Sequence, residues 1–166
     1  MRSCGSCTLC CKVLGIAEIK KPKNEWCPHC EKSKGCKIYL ERPSECRNFE
    51  CLWLRIEQVP EALKPQKCKV ELSAECEGGR ISAYVDDTFP TAWREKTVLA
   101  YLRTLSNSKF QETTNRQVIV RVGKRAIAIL PDKEIDLGNV SAESMIYYRR
   151  NALTGLIEVT VEHAAN

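Results

Sequence analysis

Nine of the eleven cysteines in this 166-residue chain fall within its first 51 residues: Cys4, Cys7, Cys10, Cys11, Cys27, Cys30, Cys36, Cys46 and Cys51. Thiols at this density serve either as disulfides or as metal ligands, and the spacing here favours metal. Cys4 and Cys7 form one C-x₂-C pair and Cys27 and Cys30 a second. Two intervening residues let both sulfurs of a pair point into one concave turn, at a Zn–S distance of about 2.3 Å. Cys10 follows Cys7 at the same spacing, with Cys11 directly adjacent. Neighbouring side chains project apart, so Cys10 and Cys11 need not serve one ion. Cys36, Cys46 and Cys51 complete a set of nine, one more than two four-sulfur sites require. Two sites are therefore expected, with one thiol to spare.

A segment of about 50 residues with few apolar side chains cannot bury enough surface to fold alone, and metal binding supplies the missing free energy. Met1-Arg2-Ser3 runs straight into cysteine without an apolar leader. No stretch approaches the roughly 20 apolar residues that span a membrane. The expectation is a cytoplasmic chain without membrane contact, whose thiols stay reduced. An odd total of eleven cysteines also argues against a fully paired disulfide framework.

Charge is unevenly spread. Residues 1–70 carry 14 Lys and Arg against 8 Asp and Glu, whereas residues 71–166 carry 12 against 13, so the net charge of +5 comes from the cysteine-rich end. A basic face raises nucleic acid as a partner. The stronger reading is local: four thiolates around Zn²⁺ leave a charge of about −2, which nearby lysines and arginines offset.

Along the chain, two parts are expected: residues 1–55 as a cysteine-rich metal-binding module, and residues 66–166 as an α+β domain of unassigned role. Residues 13–25 read as an extended piece followed by a lysine-rich turn at Pro22. Leu52–Leu63 is a short helical segment interrupted by Pro60. Cys68–Glu75 and Arg80–Asp86 alternate around Gly78-Gly79 and predict a β-hairpin. Trp93, Val98, Tyr101, Leu102 and Leu105 recur at helical spacing, with Thr91 as N-cap. Gln117–Leu130 reads as two strands about Gly123-Lys124, Val140–Leu153 as a helix capped by Ser141, and Leu156–Glu162 as a last strand. The expected architecture is α+β: a cysteine-rich module packed on a small antiparallel sheet with one or two helices.

Zinc and an iron–sulfur cluster make similar demands. Cys4-x₂-Cys7-x₂-Cys10 matches the first three ligands of a bacterial ferredoxin run, but that run places its fourth cysteine three residues on and before proline. Here Cys11 follows at once and Lys12 comes next. A [4Fe–4S] cluster drawing its fourth ligand from Cys27–Cys51 remains the alternative to Zn²⁺, since thiolates suit both.

The segment Gly35-Cys36-Lys37-Ile38-Tyr39, Arg42-Pro43 and Cys46-Arg47-Asn48-Phe49-Glu50-Cys51-Leu52-Trp53, behind Cys4, Cys7, Cys10 and Cys11, resembles the signature of the YkgJ-type CxxCxxCC family of zinc- or iron-chelating proteins. The likeness covers roughly residues 4–53. It implies metal chelation by the nine cysteines and no defined reaction. A related cysteine module occurs in flagellin lysine methylases, where an iron–sulfur cluster is implied. This chain shows no binding motif for a methyl donor.

Beside the sulfurs, Pro43 fixes the turn before Cys46, and Arg42 is placed to pair a carboxylate or donate to a sulfur. Tyr39, Phe49 and Trp53 are expected to wall the site and Trp93 to lie in the core. His29 reads as a knuckle residue rather than a ligand, and His163 as a tail residue. Cys68 and Cys76 read as ordinary buried thiols. With two histidines and no paired carboxylates, no catalytic constellation emerges. The leading expectation is a non-catalytic zinc protein with a structural role or another protein as partner. The alternative is a [4Fe–4S] protein in redox or modification chemistry.

Overall fold

The computed structural model describes residues 2–108, 116–141 and 143–163. The cysteine-rich end contains only short elements. A single helical turn, α1 (Cys10–Val13), is followed by a 3₁₀ turn at Ala17–Ile19, closed by a lone bridge between Ile16 and Lys21. A two-stranded ribbon, β1 (Cys30–Glu31) and β2 (Gly35–Cys36), sets Cys30 opposite Cys36. Three more helical turns follow: α2 (Ser44–Asn48), α3 (Leu52–Arg55) and α4 (Pro65–Cys68). Pro60 does separate α3 from the next turn, a 3₁₀ segment at Glu61–Leu63.

Hydrophobic alternation then builds a sheet. β3 (Val70–Glu75) pairs antiparallel with β4 (Arg80–Val85), in a register running from Val70↔Val85 to Glu75↔Arg80. A helix, α5 (Lys96–Asn107), precedes β5 (Gln117–Val122), which returns parallel to β4. A parallel neighbour needs a long crossover, and α5 belongs to it. β6 (Arg125–Ile129) turns back at Gly123, whose φ of +59° suits glycine, and β7 (Glu134–Asn139) completes the order β3-β4-β5-β6-β7. β8 (Met145–Arg150) and β9 (Ile157–Glu162) form a separate hairpin.

Side-chain parity assigns the two faces of the sheet. Val70, Leu72, Ile81, Ala83, Val118, Val120, Ile127 and Ile129 share one core with Val98, Leu102 and Leu105 of α5 and with Trp93. Those three α5 residues lie four and three positions apart, so one stripe of the helix is buried. Ile119, Ala126 and Ala128 point the other way, into a second cluster with Val140 and Ile146, against which Val159 and Val161 of β9 pack. The opposite parity of β3 and β4 carries Glu71, Ser73, Glu75, Ser82 and Tyr84. This polar row does not face water: Glu71 and Ser82 are 0 % exposed.

The α+β class therefore holds, with three corrections. The five-stranded sheet is mixed rather than antiparallel, because β4 and β5 run parallel. The segment expected as a helix over 140–153 instead contains strand β8, where Ile146, Tyr147 and Tyr148 follow β propensity and pair with β9. The helix expected from Thr91 is split: Trp93 sits in a 3₁₀ turn (Ala92–Arg94), Thr91 makes no side-chain cap, and extended Glu95 precedes α5.

One buried cation ties the cysteine-rich end to the sheet, and a half-buried one braces that end on itself. Lys12 Nζ donates to Asp86 Oδ1 (2.5 Å) and Thr88 Oγ1 (2.6 Å) and pairs with Asp87 (2.5 Å). Arg2 donates to the carbonyl oxygens of Trp53 (2.7 Å), Ile56 (3.1 Å) and Val59 (2.8 Å) and stacks on the Trp53 ring. Burial works against an ionised Asp86, but the hydrogen bonds from Lys12 and Thr88 outweigh it and hold the carboxyl below its ordinary range. A depressed carboxyl stabilises the fold at neutral pH and loses that contribution as pH falls through its folded value. Asp86→Ala should cost about 3 kcal/mol at pH 7 by leaving Lys12 short of its partner, and the difference from the parent should shrink in acid. Leu102→Ala should cost about 2–5 kcal/mol by opening a cavity under α5. Urea unfolding followed by circular dichroism measures both, and an unaltered Asp86→Ala midpoint would count against the tie.

Candidate metal centre

Each cysteine is delivered by a short, hydrogen-bonded piece of backbone. Cys7 N–H donates to Cys4 O (2.9 Å), closing a first knuckle in which Gly5 takes φ +53°. Cys30 N–H donates to Cys27 O (3.0 Å) in the same way. Cys27 N–H donates to Cys11 O (3.0 Å), stitching the second knuckle to α1. Cys46 lies within α2, and Cys51 caps α3, its carbonyl accepting from Leu54 and Arg55 N–H at 3.0 Å. Glu18 accepts from Ser44 N–H and Oγ–H, and Glu45 accepts from Ala17 N–H, all at 2.8 Å, so α2 is held against the turn after α1.

These pieces enclose one cavity of about 1030 Å³. Its lining includes all nine cysteines expected as ligands: Cys4, Cys7, Cys10, Cys11, Cys27, Cys30, Cys36, Cys46 and Cys51. Cys68 and Cys76 are absent from it. Cys68 packs against the main core with its thiol toward the carbonyls of Leu63 and Val70, and burial pushes it up to about 11. Cys76 is a correction: it is exposed, at the β3–β4 turn, because the hairpin turns at Cys76–Gly78 and points it outward. Tyr39, Phe49 and Trp53 line the cavity as expected, although Tyr39 is largely exposed. His29 lines it too, and His163 lies elsewhere, beside Ser144.

The thiols influence one another strongly. Cys11 is held well below the ordinary thiol value: hydrogen bonds from the Cys10 and Cys30 thiols and the Lys21 charge outweigh burial. Its partners move oppositely. Cys10 is raised by its bond to Cys11 and by burial, and Cys30 by burial and the negative charge of Cys11. Burial pushes Cys51 up to about 11, with Glu71, Cys4 and Cys7 adding to it. Burial also raises Cys46, helped by Cys11, Cys27 and Cys36. Beyond burial, Glu71 and Cys4 add to the rise of both Cys10 and Cys51, and Cys7 and Cys11 add to that of Cys4.

Positive charge is placed to match. Lys21 is buried, its Nζ donating to the carbonyls of Lys12 (2.7 Å) and Leu14, close to Cys27, Cys11 and Cys10. Arg42 stacks on Tyr39 (3.9 Å) and offsets part of the rise that burial and Cys7 impose on Cys4. Among the described residues no three His, Cys, Asp or Glu side chains stand in a metal-ligating arrangement. The fold gathers nine thiols around one cavity rather than closing four of them on a point.

Sequence reasoning missed Glu71, Lys21 and Tyr84 as cavity residues. Lys21 looked like one of several lysines in a turn, and Glu71 and Tyr84 like the solvent side of a hairpin. No protein-family model, no curated protein and no solved structure matches the chain.

The Lys21 charge can be tested directly. In the reduced, metal-free chain, alkylation of Cys11 by iodoacetamide should reach its midpoint below the ~8.5 of a free thiol. Lys21→Met removes a charge that favours the thiolate, so the midpoint should move up. Peptide mass spectrometry across a pH series reads the result. An unchanged midpoint would assign the low value to the Cys10 and Cys30 hydrogen bonds alone.

Proposed function

We propose that residues 1–55 form a metal-binding module whose clustered cysteines coordinate zinc, in a structural or partner-binding role. The observation that carries this reading is the sorting of the cysteines: nine line a single cavity, and Cys68 and Cys76 stay outside it. Chance burial does not sort thiols by sequence position in this way. The donor chemistry fits. Thiolates are preferred zinc ligands, and a closed four-thiolate site leaves no position for substrate. Lys21 and Arg42 offset part of the charge such a site accumulates.

Nine thiols around one cavity give an incoming ion its ligands. The ion displaces their protons, and binding then contributes to folding. The low value of Cys11 marks it as the thiol most ready to lose its proton first. The resemblance of residues 4–53 to the YkgJ-type signature is in keeping with the same chelating role.

A [4Fe–4S] cluster is the second reading. A cavity of about 1030 Å³ is far larger than an ion requires, and Cys27 is buried with Cys10 and Cys51 half-buried, the partial shielding that a cluster uses. Anaerobic purification with elemental analysis separates the two. Colourless protein with one or two zinc ions per chain supports zinc; brown protein with matching iron and acid-labile sulfide supports the cluster.

Cys4→Ser, Cys30→Ser and Cys51→Ser are each expected to lower metal content and thermal stability, while Cys68→Ser leaves metal content unchanged. Full metal occupancy in all three variants would mean the wrong ligands have been chosen. In the loaded protein, brief iodoacetamide treatment should modify Cys76 and spare the nine cavity cysteines. Chelation should make them reactive, and equal labelling before and after chelation would argue against ligation.

A further inference from the structure

We propose that Glu71 is the oxygen ligand of a mixed thiolate–carboxylate site for a divalent ion, formed at the floor of the cavity with Cys10 and Cys51 and with Cys4 as the next sulfur. The inference rests on the metal-binding reading and adds to it a non-cysteine ligand from outside the motif, on the sheet rather than in the cysteine-rich segment.

The first observation is an orphaned atom. Glu71 is fully buried on the cavity side of β3. Its Oε2 accepts one hydrogen bond, from Ser73 Oγ (2.8 Å). Its Oε1 is shielded from solvent and, among the described residues, has no hydrogen-bond partner. No ion pair among the described residues includes it. Burial pushes its carboxyl up to about 8, and the Glu75 carboxylate adds to the rise. A buried carboxyl that is neither paired nor fully hydrogen-bonded is costly, and native proteins retain such groups where a ligand satisfies them.

The second observation is its setting. Cys51 caps α3, which packs against β3. α1, which opens with Cys10, is fastened by Lys12 to Asp86, and Asp86 N–H donates to Lys69 O two residues before Glu71. Cys10 and Cys51 thus reach the cavity that Glu71 lines from two separate elements. Glu71, Cys4, Cys10 and Cys51 all line this one cavity, and an ionised Glu71 or Cys4 there adds to the rise of both Cys10 and Cys51. Carboxylate oxygen joins thiolate at zinc and at other borderline divalent ions, at about 2.0–2.2 Å. A cation there removes the penalty on the orphaned oxygen and on the neighbouring thiolates together.

X-ray absorption on the zinc-loaded full chain tests this. The expected shell is mostly sulfur at about 2.3 Å with an oxygen or nitrogen component near 2.0–2.2 Å. That component should persist in His29→Ala and vanish in Glu71→Gln, which should also carry less zinc than the parent. A parent shell of sulfur alone overturns the proposal without any variant, so a Glu71→Gln chain that fails to fold does not rescue it. Glu71→Gln with unchanged zinc content and an unchanged shell overturns it as well. A parent chain that takes up no zinc fails at the earlier step, on the proposed function, and removes this site with it.

Discussion

The ion pair between Lys12 and Asp86 governs how the cysteine-rich segment is used. Residues 2–55 include few fully buried apolar side chains: Leu9, Val13, Ile16, Leu52 and Trp53 are the main ones. That is too little to define a core. The segment leans on the sheet instead, at a place chosen by one cation. Lys12 reaches past α1 to Asp86, Asp87 and Thr88 just beyond β4, and the Arg2 clamp on α3 holds the other end. Removing a charge from water is expensive, so a buried lysine sits only where acidic partners await it. With Lys12 placed there, Cys10 and Cys11 just before it are held at the cavity that the polar row of β3 and β4 also lines.

The sheet is thus covered differently along one face. Over β5 and β6 the β8–β9 hairpin supplies an apolar cover of valine, isoleucine and tyrosine. Over β3 and β4 the cover is the cysteine-rich segment, and between them lies the cavity. Tyr84 donates to Glu75 and Ser73 to Glu71, so the polar residues of this face form a hydrogen-bonded floor. Thiols, carboxylates and a few placed cations share one partly shielded space, and each proton there depends on its neighbours.

Much of this was legible in the residues. The β3–β4 hairpin, the β5–β6 pair, the last strand, the break at Pro60 and the nine cavity cysteines follow from alternation, turn chemistry and spacing. The parallel β4–β5 pairing did not, because strand direction depends on a crossover that leaves no local mark. The segment around Ile146–Tyr148 carried both periods, and pairing with β9 decided it. The floor of the cavity was hidden for a deeper reason. Glu71, Ser73 and Glu75 at alternate positions look the same whether water or another segment covers them, and only tertiary contact separates the two. Lys21 was hidden likewise, among neighbours Lys20 and Lys23 that are not fully buried.

The separation of 74 residues between Lys12 and Asp86 also has a meaning in time. During synthesis the thiols emerge first, while the strands and the acidic partner that position them come later. At about 5–20 residues per second, the wait is on the order of ten seconds. Throughout that interval the knuckles are tethered to nothing that fixes them over a carboxylate floor. The thiols are therefore made well before the strands that secure them.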